Sequence, residues 1–215
     1  MKNLTRSLLL CALCVLSIGV IDAQTPKSSD SSTLQNVRTS EYKELVEKVK
    51  GGDLSIDFVR LRAAFLDWAN DECNQTDAPD RDQMVKAFEA KQYLKAAELA
   101  EAVLDYEFVN RGLHLAAAAA YKEINNPDKE KFHQDVAQKL LDALLRSGDG
   151  KTAKTAIKVH TIREEYQVMK ELGYTVSSQS LVFDKQYGSF DVLDGKDKDG
   201  KAVSMYFDIN SFFGG

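Results

Sequence analysis

The chain has 215 residues, with 28 Lys and Arg against 33 Asp and Glu, and a formal net charge of -5. Its 44% hydrophobic and 28% charged residues match a globular protein, and only 3 Pro and 12 Gly exclude collagen or a Pro/Gly-rich disordered chain. The acidic balance argues against a nucleic-acid-binding protein, because such proteins present a basic surface. Three cysteines are too few for a disulfide scaffold.

Residues 1–23 have the organisation of a secretory signal peptide. Lys2 and Arg6 form a basic start, residues 8–21 form an apolar run, and Ala23 is a small residue before a cleavage point. The alternative is a membrane anchor, but the run is shorter than the roughly 18–20 residues that span a bilayer. We therefore expect export to the periplasm or the medium, with no membrane association after cleavage. Cleavage removes two basic residues and one acidic residue, which leaves a formal charge of -6.

The mature chain is predicted to be one domain with two halves. Residues 24–39 are polar and rich in Ser and Thr, without apolar periodicity, which favours a disordered tether. The domain covers residues 40–213, with a helical half over 40–147 and a sheet half over 152–210. The fold class is therefore predicted to be α+β.

The helical half shows apolar residues at helical spacing throughout. Tyr42, Leu45, Val46 and Val49 fall on one face of a first helix. Residues 80–146 then read as two helical hairpins. Among them, Ala96 and Glu130 occupy similar positions 34 residues apart, which is the tetratricopeptide period. Because such hairpins usually present a concave binding face, they favour a groove that binds a protein or peptide.

The apolar pattern changes after Gly148 from helical spacing to alternation. Residues 155–159 alternate as a strand, and a Thr161-x-x-Glu164 capping box with Gly173 predicts a helix over 162–172. Further alternation over three later segments completes a four-stranded sheet, predicted to be antiparallel because one side is polar. These segments are 175–183, 189–193 and 202–209, with a hairpin loop at 194–200.

Three segments partly match known cofactor-binding or metal-binding motifs, and each departs from its motif in a way that favours a structural role. Ser147–Thr152 resembles the end of a phosphate loop, but a helix precedes it and a strand follows. The acidic turn at 194–200 lacks carboxylates at the first and last positions of a calcium loop. Glu130-x-x-His133 is a single copy of a motif that di-iron bundles need twice. We therefore predict no cofactor and no metal.

Six polar residues are not required by the hairpin packing and are candidate contacts for a ligand or partner. They are Arg62, His114, Asp149, Lys151, Glu165 and Gln179. Asp149 and Lys151 belong to the corner at 147–151, predicted to be a structural hinge first and a ligand contact second. There Gly148 is expected to close the preceding helix in the left-handed conformation.

A run of short segments resembles a known family, over about residues 41–209. These segments are Tyr42…Leu45-Val46, Gly52-Asp53, Asp57-Phe58…Leu61-Arg62 with Ala64, Ser147–Lys151, Thr155-Ala156, Glu164-Glu165-Tyr166, Leu172-Gly173, Gln179-Ser180-Leu181, Asp191 and Tyr206-Phe207. Their order resembles the secreted bacterial proteins grouped as domain of unknown function 4919. The resemblance implies one compact unit of helices followed by a small sheet. It supplies no catalytic residue.

The preferred functional hypothesis is an exported, non-enzymatic module that binds a protein or peptide in its helical groove. The alternative is an envelope hydrolase of unknown substrate, with a polar pocket between the helices and the sheet. Convergence of the six candidate residues in one pocket would favour the hydrolase, and their dispersal would favour the binding module.

Overall fold

A computed structural model describes residues 31–69 and 81–213 of the chain, with side chains described over 41–69 and 81–211. The predicted signal peptide and residues 24–30 of the predicted tether lie outside the described residues, as does Cys73.

The described residues form helices first and then a sheet, which confirms the predicted α+β class. The helices are α1 (Ser31–Lys50), α2 (Phe58–Ala69), α3 (Arg81–Glu89), α4 (Tyr93–Leu104), α5 (Arg111–Glu123), α6 (Pro127–Arg146) and α7 (Ile162–Glu171). The strands are β1 (Ile157–Lys158), β2 (Thr175–Asp184), β3 (Gly188–Lys196) and β4 (Ala202–Asp208). Short 3-10 helices cover Ala153–Thr155 and Asn210–Phe213.

Helices α1 to α6 form a layer in which sequence neighbours pack against each other. The contacts run α1 on α2, α3 on α4, α4 on α5 and α5 on α6, and α2 also reaches α6. One core joins α1, α2 and α6 around Val49, Leu61 and Val136, which are fully buried. A second core joins α3, α4 and α5, where Ala97 and Ala117 allow close helix approach. The hairpins' tetratricopeptide-like character remains a prediction.

Helix α1 starts earlier than the sequence predicts. It begins at Ser31, so residues 31–39 are helical although they were predicted to belong to a disordered tether. The later part of α1 is held by Tyr42, Val46 and Val49 in the core. Once a packed turn exists, each added residue gains a backbone hydrogen bond without a new nucleation cost, so a polar segment can extend the helix.

The sheet has the strand order β1-β4-β3-β2. Strands β2, β3 and β4 are antiparallel neighbours, but β1 runs parallel to β4, with Ile157 beside Phe207. The prediction of an entirely antiparallel sheet is therefore wrong at β1. The strand predicted at 155–159 shrinks to two residues, because Thr152 caps a 3-10 helix that ends at Thr155. Strand β3 continues to Lys196, which shortens the predicted hairpin loop.

Helix α7 covers one face of the sheet, where Val168 and Met169 pack against Leu193 and Phe207. Its predicted ends are confirmed: Thr161 is the N-cap, and Gly173, with φ +72°, follows the C-cap. The predicted capping box is only half formed. The Thr161 hydroxyl accepts from the Glu164 N–H at 3.4 Å, whereas the Glu164 carboxylate accepts from the His160 N–H at 2.7 Å.

The corner after α6 differs from its prediction at Gly148. The left-handed residue is Gly150, with φ +67°, and not Gly148. Glycine is needed at position 148 because the backbone of Thr155 lies close to it. A Cβ there would be 2.5 Å from the Thr155 carbonyl oxygen. The Gly150 carbonyl accepts from the Tyr206 N–H at 2.7 Å, so the corner is tied to β4. Asp149 accepts from the Lys151 N–H at 3.0 Å, a bond within the turn.

Candidate functional site

A cleft separates the helical layer from the start of α7. We call it the interlayer cleft; its volume is about 330 Å³. Side chains from α2, α3, α5 and α7, and from the segments that lead into α5 and α7, line it. The lining residues are Phe65, Arg81, Glu107, Val109, Asn110, Arg111, His160, Thr161, Ile162, Arg163, Glu164 and Gln167.

Two helices begin at this cleft. The N-cap of α5 is Asn110, whose side chain accepts from the Leu113 N–H at 3.3 Å, and the N-cap of α7 is Thr161. The N-terminus of a helix carries a partial positive charge and free backbone N–H groups, both of which favour a bound anion. The two helix N-termini alone therefore give the cleft hydrogen-bond donors and a positive electrostatic potential.

Three arginines add positive charge to the cleft. Arg81 forms an ion pair with Glu107, and Arg111 forms one with Glu171 at 2.7 Å. Arg163 is exposed and has no ion-pair partner among the described residues. Because Glu107 and Glu171 offset only the first two, the positive charge of Arg163 is available to a ligand.

The wall of the cleft is fixed by a buried ion pair between α2 and α7. Arg62 donates two hydrogen bonds to the Glu164 carboxylate, at 2.5 and 3.1 Å, and a third to the Lys158 carbonyl at 3.3 Å. Burial alone would raise the pKa of Glu164, but the charge and hydrogen bonds of Arg62 outweigh it and lower that pKa. The pair therefore joins the two halves of the fold as fixed charges.

His160 lies beside this pair as a neutral ring. Burial, and then the charge of Arg62, lowers the pKa of His160 to about 4. Its ring packs on Phe65 with centroids 6.1 Å apart. Three buried polar atoms of the lining have no hydrogen-bond partner in the described residues: His160 Nδ1, Arg111 Nε and Gln167 Oε1. Buried polar groups are nearly always paired, so these atoms indicate a place for water or a ligand.

A family model matches residues 31–213 under the description "Domain of unknown function (DUF4919)". The chain belongs to this family. The match begins with the first residue of α1 and ends with the last 3-10 helix, so it spans both halves of the DUF4919 fold. Neither the curated proteins nor the solved structures gave a match.

The DUF4919 fold does not bring the six predicted contact residues into one pocket. Arg62 reaches the interlayer cleft only through Glu164. His114 is buried in the helical layer, where it contacts the Phe108 carbonyl oxygen at 2.8 Å. Asp149 and Lys151 are exposed at the corner after α6 and form an ion pair of 3.6 Å.

The remaining two predicted residues, Glu165 and Gln179, do meet, beside Asp191. The Gln179 amide donates to the Asp191 carboxylate at 2.7 Å and to Glu165 at 3.3 Å, and accepts from the Tyr166 hydroxyl at 2.8 Å. Glu165 is fully buried. That burial, and then the charge of Asp191, raises the pKa of Glu165 to about 8. We call this group the carboxyl corner.

The sequence reasoning missed Arg111, His160, Arg163 and Gln167. A signal for two of them was present. Arg111 and Arg163 stand in the first turns of α5 and α7, where a cation opposes the helix dipole. A cation in that unfavourable place is a reason to look for an anion. By contrast, Glu164 was attributed to helix capping and in fact pairs with Arg62.

The helical layer holds an apolar groove of about 250 Å³ between α3, α4 and α5. Val85 and Phe88 on α3 are 46% and 36% exposed there, and Ala96, Ala116 and Ala119 form its floor. The sequence hypothesis of a peptide in a groove of the helical hairpins named no residues, and this groove is a candidate for it.

Residues 31–69 and 81–213 contain neither a membrane-spanning helix nor a metal-binding cluster. No helix in that part of the chain is long and apolar enough to cross a bilayer. No cluster of three or more His, Cys, Asp or Glu side chains there could hold a metal ion.

Proposed function

We propose that this DUF4919 protein is an exported, non-enzymatic module that binds a peptide or protein, and that the interlayer cleft holds an anionic group of that partner. One observation carries the proposal. Arg111 Nε, a buried donor without a partner among the described residues, lines a cavity on which the N-termini of α5 and α7 converge.

The donors of the cleft suit a carboxylate. Arg111 Nε and the first backbone N–H groups of α5 and α7 are donors, and Arg163 supplies a charge that no described acid offsets. The free C-terminus of a peptide is the carboxylate that every partner chain carries, and backbone N–H groups commonly capture it. A cavity of about 330 Å³ lies at the small end of the range for ligand sites. It therefore suits the last one or two residues of a chain.

The hydrolase alternative is less well supported by the same geometry. Convergence of the six candidate contact residues in one pocket would have favoured a hydrolase, but these residues lie in four separate places. The cleft does contain a neutral imidazole, His160, but the lining that the structure describes includes no Ser or Cys beside it. The adjacent Glu164 is held by Arg62 and the His160 N–H, so it is not free to activate water.

Titration with two small peptides, followed by NMR of the backbone amides, tests the binding proposal. Trialanine with a free carboxylate should shift the amides at the starts of α5 and α7, whereas trialanine amide should shift them much less. Arg163→Ala should weaken the free-acid effect several-fold. The matched control, Arg146→Ala, removes another exposed cation, at the end of α6, and should leave the effect unchanged.

The same spectra can contradict the proposal. Equal shifts with the acid and the amide would exclude recognition of the carboxylate. Shifts confined to Val85, Phe88 and their neighbours on α3 would favour the helical groove over the interlayer cleft.

Export is tested separately, through the N-terminus of the native protein. Mass spectrometry of the protein from the envelope or the medium should find a chain that begins at Gln24. Recovery of the chain only inside the cell, with Met1 or Lys2 intact, would contradict export.

A further inference from the structure

Strand β2 is an edge strand with an open side. It pairs with β3 on one side, and no other strand of the described chain pairs with its opposite side. Every second residue of an edge strand directs its N–H and C=O groups outward, ready to pair with another strand. With ten residues, β2 offers a long row of such groups.

Natural edge strands are usually protected by charges, prolines, bulges or short length. β2 has one irregularity, between Val176 and Ser178, near its start. From Thr175 to Phe183 it has no charged residue and no proline. The stretch from Gln179 to Phe183 is therefore a regular, uncharged edge.

This edge also exposes large apolar side chains. Leu181 and Phe183 are 67% and 73% exposed. Leu181 lies opposite Asp191 in the register, and alternation places both residues on the sheet face that α7 covers elsewhere. On that face the apolar surface continues to Tyr166 of α7, which bonds to Gln179 and is itself 43% exposed.

We propose that β2 pairs in antiparallel fashion with β2 of a second copy of this chain, about a two-fold axis at Leu181, so that the two sheets become one. Leu181 then faces its own counterpart, and Gln179 faces Phe183 of the other copy. The exposed apolar side chains of both copies meet on one face of the joined sheet, between the two α7 helices. A closed two-fold pairing of this kind uses the same surface on both molecules and leaves no further open edge at β2.

The charge distribution singles out β2 as a place where a second copy can approach. Two copies of the mature chain, each with a formal charge of -6, repel each other over most of their surfaces, and β2 offers an uncharged stretch. In the proposed register the one acid of β2, Asp184, lies opposite Ser178 of the other copy, so no two like charges face each other. The other sheet edge, β1, has only two residues, one of them the exposed Lys158, and is too short to serve.

Light scattering on the purified protein, separated by size, tests the proposal with a matched pair of lysine variants. The unmodified protein should have twice the mass of one chain at high concentration and should dissociate on dilution. Leu181→Lys places two cations face to face on the axis and should give a single-chain mass at every concentration. Ser178→Lys places each cation opposite Asp184 of the other copy and should keep the doubled mass.

Circular dichroism should show that both variants are folded, since Leu181 and Ser178 are exposed. If Leu181→Lys is unfolded, hydrogen exchange of the unmodified protein decides, because dimer formation should slow the β2 amides as concentration rises. A single-chain mass for the unmodified protein at all concentrations would overturn the proposal. Equal loss of the doubled mass in both variants would overturn the register. No residue of β2 lines the interlayer cleft, so either result leaves the proposed function standing.

Discussion

The Nδ1 atoms of His114 and His133 lie 3.0 Å apart in the core of the helical layer. The Nε2 atom of His114 faces the Phe108 carbonyl at 2.8 Å, which can only accept, so His114 carries its proton on Nε2. Its Nδ1 then accepts from His133, whose own Nε2 faces Glu101 at 3.2 Å. Burial lowers the pKa of His114 to about 3, which agrees with a neutral His114 ring.

This chain of bonds predicts the tautomer of His114. Its Nε2 carries the proton and its Nδ1 is an acceptor. At the far end of the chain, burial would raise the pKa of Glu101, but its contacts with His133 and Lys129 lower that pKa to about 2. Nitrogen-15 NMR of the imidazoles at neutral pH should show His114 as the neutral Nε2–H tautomer. A proton on Nδ1 of His114 would contradict the assignment.

Replacing Glu165 in the carboxyl corner should change how stability depends on pH. Its pKa rises from an ordinary 4.5 to about 8 on folding. Between these values the folded state holds a proton that the unfolded state has lost, so stability falls as pH rises through that window. Glu165→Gln mimics the protonated form. It should be the more stable protein by on the order of 5 kcal/mol at about pH 9 and nearly equal at about pH 4.

Urea unfolding of the two proteins across this pH range measures the effect. Glu98→Gln, at an exposed site on α4, serves as the control and should reproduce the pH profile of the unmodified protein. Parallel profiles for Glu165→Gln and the unmodified protein would show that folding does not raise the pKa of Glu165.

Breaking the buried pair between Arg62 and Glu164 should destabilise the fold strongly. The two side chains are 6% and 13% exposed, so Arg62→Met leaves a buried carboxylate without its partner. We expect a loss of about 3–5 kcal/mol in the free energy of unfolding. Arg62→Met combined with Glu164→Gln should recover part of that loss, because no buried charge remains. A double variant less stable than Arg62→Met would mean that Glu164 is stabilised by other groups.

Gly148→Ala should destabilise the corner after α6 through overlap and not through a strained φ angle. The added methyl group would lie 2.5 Å from the Thr155 carbonyl oxygen and closer still to that of Ala156. Moving this backbone should cost on the order of 2 kcal/mol, which thermal unfolding can measure. Gly51→Ala, where the nearest atom is 3.3 Å away, is the control and should cost clearly less. Equal losses of stability in the two variants would show that the backbone of Thr155 and Ala156 moves away from position 148 at little cost.

Local signals predicted much of the fold. The ends of α7 follow from Thr161 and Gly173, because caps depend on residues within one turn. The parallel pairing of β1 with β4 was not predictable in this way, since Ile157 and Phe207 are fifty residues apart. In addition, β1 has only two residues, too few to show an alternating apolar pattern. The reason for glycine at position 148 was not predictable from local signals either, because it lies in the backbone of Thr155 and Ala156, which packs against Gly148.

The candidate site was predicted less well than the fold. Glu165 and Gln179 were singled out as polar residues without a packing role, and they meet at the carboxyl corner. Arg111 and His160 come together only because the helical layer packs against α7, and no local pattern in the sequence describes that contact. The resemblance that identified the family could not supply them either, because the family carries no assigned reaction.

Strand β4 is the last strand to be synthesised, yet it lies between β1 and β3. Helices α1 to α6 can pack as they emerge, because their contacts are mostly between sequence neighbours. The sheet must wait, since Met205 and Phe207 complete its core and β1 pairs with no other strand of the described residues. The order of folding is therefore built into the topology, with the helical layer early and the sheet only after β4 has been synthesised.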